Sequence, residues 1–235
     1  MGTNGTNGAA ATAFSGIHPG APILVHDQGE RWGAVGCALR GGGATYIVTA
    51  GHLFSRGGGG VVRCAASGGA PIEIGAVASN LLDLAPPAGA SHPLDAALVR
   101  LHAHGEQMLA ATTHKHAPRL TGLLDATAIA GTLAQTFRAV SNDYSEVAAC
   151  TIEPAVVYLP AAARPNRVAV SNVIRTATAV TASGDSGTIL CTANDERLAL
   201  GTCIGIDGAG SLFTPLDAAI DAFSAQIGAA LALLL

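Results

Sequence analysis

The sequence predicts an all-β fold with one helix at its C-terminal end, and three observations carry that reading. Short apolar segments of strand length recur along the chain, separated by turns rich in glycine, proline and asparagine, the pattern of a barrel or sandwich. Hydrophobic residues make up 49% of the 235 positions and charged residues only 12%, ample material for the core of a domain of this type. Near the end, Leu216, Ile220, Phe223 and Ile227 fall on one stripe at helical spacing.

Residues 1–20, rich in Gly, Ala, Thr and Asn, read as a flexible leader. Strand-like segments follow at 22–25, 32–39 and 45–49, the last two joined by a glycine turn at 41–43 that suggests a hairpin. The glycine run 57–60 has no following Lys-Ser/Thr, which excludes a phosphate-cradling loop. Residues 61–62, 72–77 and 96–101 resume the strand pattern, interrupted by Pro86 and Pro87. Between 102 and 122 lie two His-x-His pairs, His102/His104 and His114/His116, near Glu106 and Lys115. On a strand such pairs share a face and can hold zinc, but no well-spaced third ligand accompanies them. A solvated connector is the better reading, and no metal or other cofactor is expected. A second strand series runs through 122–124, 128–133, 146–152, 156–159 and 167–170. A hairpin of 189–192 and 198–204 turns at Asn194 and Asp195. The closing helix is expected over 215–235, with Thr214 as N-cap, Pro215 in the first position and Asp217 in the third. Asp217, Asp221 and Gln226 interrupt any membrane-length apolar run.

Chemistry concentrates in three stretches. Ser183-Gly184-Asp185-Ser186-Gly187 sets a serine between glycines, which permit a tight turn and let two backbone N–H groups converge on one point. Thr49-Ala50-Gly51-His52 ends a buried segment at a histidine, and Asp95-Ala96-Ala97-Leu98 begins one at an acid. A serine hydroxyl needs a base within hydrogen-bond reach to act as a nucleophile, and that base needs a group to orient it. The order histidine, acid, serine excludes the α/β-hydrolases, which want Ser, acid, His and Gly-x-Ser-x-Gly. Position 188 is Thr188, and no histidine follows Ser186. The subtilisin order needs an acid before the histidine. Asp27 and Glu30 precede His52, but the surroundings of Ser186 do not resemble that family.

These three motifs, in this order, resemble those of the trypsin-like (chymotrypsin-fold) serine proteases, and Thr-Ala-Gly-His resembles the bacterial members. The resemblance implies two six-stranded antiparallel β-barrels in one peptidase domain: residues 21–110 with the histidine and acid, and 111–214 with the serine. It implies a serine endopeptidase with His52 as base, Asp95 as its orienting acid and Ser186 as nucleophile. The Gly184 and Ser186 N–H groups would form the oxyanion hole. The pocket base falls six residues before the nucleophile, at Val180, with walls from Cys203 to Gly205 and near Ser211; with no acid there, a small or medium apolar P1 side chain is expected. Asp185 corresponds to the acid that in zymogen-type relatives pairs with a freed N-terminus. In bacterial relatives an internal arginine can replace that terminus, and Arg138, Arg167 and Arg175 are the candidates here. Activity without N-terminal processing is therefore expected. The cysteine that many relatives carry after the histidine is Leu53 here, so Cys37 reads as a small buried hydrophobe. The alternative function is a catalytically silent or self-processing binding module on the same fold.

The formal charge of −4, with no cluster of Lys and Arg, argues against nucleic acid as a partner. The expected partner is a protein or peptide substrate, with no membrane. Five cysteines, an odd count, suit a reducing compartment, and the first residues lack a basic and apolar leader. A cytoplasmic location is expected, or secretion if the sequence is the trimmed form of a longer chain.

Overall fold

The computed structural model describes residues 16–57, 59–64, 70–84, 94–111, 119–138, 143–153, 157–159, 168–170 and 173–235. Its first half holds β1 (Pro22–His26), β2 (Glu30–Ala34), β3 (Cys37–Gly41), β4 (Ala44–Thr49), β5 (Val61–Cys64), β6 (Ile72–Asn80) and β7 (Ala97–Leu101). Helix α1 (Ala103–Ala110) follows. The second half holds β8 (Gly122–Leu123), β9 (Leu133–Arg138), β10 (Asp143–Tyr144), β11 (Ala148–Glu153), β12 (Val157–Leu159), β13 (Val168–Val170), β14 (Val173–Thr176), β15 (Ile189–Thr192), β16 (Leu198–Asp207) and β17 (Gly210–Pro215). Helix α2 (Leu216–Ile227) and the short strand β18 (Ala232–Leu233) end the chain.

Sixteen of the strands form two eight-membered sets, and β12 pairs with β13 in a separate two-stranded sheet. In the first the order is β18-β3-β4-β7-β6-β5-β1-β2, antiparallel throughout. In the second, β9-β11-β14-β17-β16-β15 closes on itself because β15 also pairs with β9, giving a six-strand barrel with β10 and β8 attached. The expected single strand over 32–39 is two strands with a corner at Val35 and Gly36. There an added Cβ would sit 2.7 Å from Thr202 Cγ2 and 2.9 Å from the Gly187 carbonyl oxygen, so the corner passes too close to the second half to carry a side chain at position 36. The β3–β4 hairpin turns at Gly42 and Gly43, both at positive φ (58° and 75°), the geometry of a type I′ turn.

Among the described residues, the three larger of four apolar cores follow from the strand alternation. One fills the first sheet's concave side with Ile23, Val25, Ile47, Phe54, Val62, Ile74 and Val99. A second fills the closed barrel with Ile174, Val180, Leu190, Leu200 and Phe213. The third joins the halves: Leu39, Tyr46, Val48 and Leu98 meet Ile189, Cys191 and Ala199 beneath Leu216, Ile220 and Phe223 of α2. The helical stripe read from the sequence faces this seam.

Several expectations change. Ile17 and His18, placed in the leader, are buried at 1% and 3% exposure, since the apolar chain there packs into the first core. The connector after β7 begins as helix α1, whose Gly105 leaves no room for a Cβ against Ile74. His102 precedes that helix and pairs with Glu73 at 3.3 Å, so His102 and His104 do not share a strand face; His114 and His116 lie outside the described residues. Of the expected strand over 128–133, Ala128 ends a 3₁₀ helix (Ala126–Ala128), 129–132 form a turn, and only Leu133 is in a strand, as the first residue of β9. Thr214 lies in β17, and Pro215 flanks α2 without a side-chain cap. Asp217 instead accepts from the Ala126 and Ala218 N–H groups. The helix ends at Ile227 rather than 235, because Gly228 turns left-handed (φ 71°), and the tail returns as β18 on β3.

Candidate active site

His52, Asp95 and Ser186 come from three different elements and meet. His52 lies in a 3₁₀ turn (Gly51–Leu53) just past β4, Asp95 lies two residues before β7, and Ser186 sits in the turn before β15. Because β4 and β7 are hydrogen-bonded neighbours with Thr49 opposite Ala97, the ends that carry His52 and Asp95 fall side by side. Asp95 Oδ2 is 2.8 Å from His52 Nδ1, and its Oδ1 accepts the His52 backbone N–H at 2.8 Å. His52 Nε2 lies 3.1 Å from Ser186 Oγ. Asp95 is fully buried while the His52 side chain is 14% exposed, so the carboxylate is shielded and the imidazole reachable. With the carboxylate holding Nδ1–H, Nε2 is left as the acceptor facing the hydroxyl.

The serine turn is held by the backbone on both sides. Ala34 N–H donates to the Ser186 carbonyl, Gly187 N–H to the Cys203 carbonyl, and Cys203 N–H to Thr188. Gly184 and Gly187 take φ of 97° and 93°, which a side chain would oppose. Among the described residues, neither the Gly184 nor the Ser186 N–H donates to another protein group. Asp185 is buried and accepts the Ala182 N–H at 2.8 Å. Of its candidate arginines, Arg175 is excluded, because its guanidinium is taken by Glu153 at 2.9 Å and Asp207 at 2.7 Å. Arg167 and the Arg138 side chain lie outside the described residues.

Of the expected pocket residues, Val180, Cys203 and Ser211 are buried. Buried Ser211 Oγ accepts the Val180 and Thr181 N–H groups at 2.9 and 3.1 Å and meets the Thr181 hydroxyl at 2.7 Å. Gly205, at φ 153°, pairs with Leu212 across a bulge in β16. The Cys203 thiol is pushed up to about 12 by burial, so it stays neutral beside Asp95 and Asp185.

No protein-family model and no curated protein matches the sequence. Solved structures do. Thermobifida fusca protease A superposes with a TM-score of 0.62 at 20% identity, over 93% of this chain and 99% of that one. The chain has the trypsin-like fold. A glutamic-acid-specific serine protease, described as using a histidine triad in substrate binding, gives 0.61 at 18% identity over 92% of this chain and 99% of its own. Cellulomonas bogoriensis chymotrypsin gives 0.59 at 20% identity over 94% and 100%. Among the described residues, no trio of His, Cys, Asp and Glu is placed to hold a metal, and no helix is long and apolar enough to cross a membrane.

Sequence reasoning missed the groups that hold this trypsin-like site together. Thr214 Oγ1 donates to the Asp95 carbonyl and accepts the Asp95 N–H, at 3.0 and 3.2 Å. Thr49 Oγ1 donates to the Ala34 carbonyl at 2.8 Å, and Asn80 bridges to Gly51. Each acts across a large sequence separation, and only Thr49 stood in a recognised motif.

Proposed function

We propose that the chain is a serine endopeptidase that hydrolyses peptide bonds through an acyl-enzyme, with His52, Asp95 and Ser186 as its triad. The observation that carries this is the continuous hydrogen-bonded path Asp95–His52–Ser186, at 2.8 and 3.1 Å. Ser186 Oγ attacks the scissile carbonyl carbon as His52 Nε2 takes the hydroxyl proton. Buried Asp95 stabilises the imidazolium that forms and fixes the ring's orientation. The Gly184 and Ser186 N–H groups receive the oxyanion; losing one such donor raises the barrier by about 3 kcal/mol. His52 then protonates the departing amine, and water, deprotonated by the same nitrogen, releases the acid product. Val180 at the pocket base, with Cys203, Gly205 and Ser211 around it, suits a small or medium apolar P1 side chain, because none of these four residues carries a charge that would pair with a buried one. Protein or peptide is the substrate class.

The test is labelling of the intact protein with a fluorophosphonate probe, beside Ser186→Ala, with the modified residue located by mass spectrometry. Label on Ser186 alone, absent from the variant, is the expected result. Absence of label from the wild-type protein would instead favour a silent binding module on this fold. P1 choice is read from cleavage of a peptide library, where preference for Lys, Arg or Glu would overturn the pocket assignment.

A further inference from the structure

The peptide unit that joins Gly51 to His52 is gripped at both ends. Its N–H donates to Asp95 Oδ1 at 2.8 Å, and its C=O accepts from Asn80 Nδ2 at 3.0 Å. Asn80 is the last residue of β6, is only 7% exposed, and stands opposite Ala97 of β7. Its amide has one orientation, since Oδ1 accepts the Leu82 N–H at 3.1 Å; a flipped amide would oppose oxygen to oxygen and N–H to N–H. The next residue grips the neighbouring strand, with Leu81 N–H donating to the Ala96 carbonyl at 2.9 Å. A Cβ on Gly51 would come within 2.6 Å of Asn80 Oδ1 and 2.9 Å of Asp95 Oδ1. The glycine before His52 thus makes room for both side chains.

We infer that Asn80 is a positioning residue of the site: its amide fixes the Gly51–His52 peptide plane and, through it, the approach of His52 to Asp95 and Ser186. This rests on the hydrolase reading above for its kinetic consequence. A hydrogen bond to the carbonyl end of a peptide also polarises its N–H, which strengthens the bond to Asp95 in a buried setting. Small displacements of a catalytic group cost rate far more than they cost stability, so the consequence falls on turnover.

Asn80→Asp separates the two bonds that the side chain makes. It keeps an acceptor for the Leu82 N–H, the turn-capping role, and loses the donor to Gly51. N80D is expected to label with fluorophosphonate and turn over peptide about tenfold or more slowly, with KM within about twofold of wild type. Its His52 imidazole N–H proton resonance should move or broaden. Asn80→Ala, which removes both bonds, gives the same kinetic readout should N80D fail to fold. Wild-type labelling rate and an unchanged His52 resonance in folded N80D would overturn the inference, leaving Asn80 a cap. If the wild-type protein does not label yet the resonance shifts in N80D, the hydrolase reading falls and the positioning role stands.

Discussion

An ideal Cβ on Gly187 would collide with Thr49 Oγ1 and the Ala34 carbonyl, and would lie 3.0 Å from the Ala50 nitrogen. The residue also holds φ at 93°, so space and backbone conformation both demand glycine directly after the serine. Gly187→Ala should cost about 3 kcal/mol in urea unfolding and slow fluorophosphonate labelling by at least about a hundredfold. Gly43→Ala is the control. Its φ is 75° but nothing lies within 4 Å of the added Cβ, so it should cost about 1 kcal/mol and label normally. Equal effects from the two would show that the collision at 187 is relieved by a small shift and that strain alone matters. The same scale explains why Thr214 is worth naming: one hydroxyl serves both the N–H and the C=O of Asp95, fixing a buried acid whose carboxylate is wholly committed to His52.

Among elements, the C-terminal tail contributes more than its short length suggests. Strand β18 lies on the outer edge of β3, with Ala232 opposite Arg40 and Leu233 opposite Leu39, and so covers backbone groups that would otherwise form an exposed edge. Leu231 leads into it at 7% exposure, packed in the core shared by the two halves, whereas Leu235 is 73% exposed. Leu231→Ala should therefore lower stability by about 2–4 kcal/mol, and Leu235→Ala by less than about 0.5 kcal/mol, both read from denaturant midpoints. Similar costs for the two would mean that the tail does not dock on β3 in solution. Helix α2 and this strand were anticipated as one helix over 215–235, because Ala229 to Leu235 carries apolar residues without a period that separates helix from strand. The decisive residue was Gly228, which breaks the helix and sends the tail back to an unpaired edge.

For the molecule as a whole, the cysteines set an alkaline limit. All five are buried. Burial pushes the Cys37, Cys191 and Cys203 thiols up to about 12 and Cys150 to about 11, against about 8.5 in an unfolded chain. An acid whose folded value is raised keeps its full contribution below the unfolded value. Above it the unfolded chain sheds protons that the folded chain retains, so stability falls as pH rises. Thermal midpoints should hold level up to about pH 8.5 and decline towards pH 11, and a folded Cys37→Ala variant should decline less steeply. A thiol reagent should modify none of the five in the native protein at pH 8 and all of them in urea. A native-state thiol that reacts would identify a region that opens more readily than these cores suggest.

Much of the candidate site is legible in the sequence, and the reason is local. Gly-Asp-Ser-Gly, Thr-Ala-Gly-His and the acid before an apolar strand each state their chemistry within a few residues, because turn glycines and strand-end positions are short-range requirements. The alternation of apolar segments with turn residues determined that the chain would be β-rich, and the stripe from Leu216 to Ile227 determined its helix. What joins those pieces is long-range and left no mark in any one stretch. Asn80 reaches Gly51 across 29 residues and Thr214 reaches Asp95 across 119; the first lies outside every segment read from the sequence, and the second read only as a helix start. The corner at Gly36 has no room for a Cβ because Thr202 and Gly187 lie against it, and Arg175 left the candidate partners of Asp185 because two surface acids hold it. Local conformational preference determined the elements and the reactive residues. Tertiary packing alone decided how closely His52, Asp95 and Ser186 approach, because that distance depends on which buried polar groups find partners once the strands have paired.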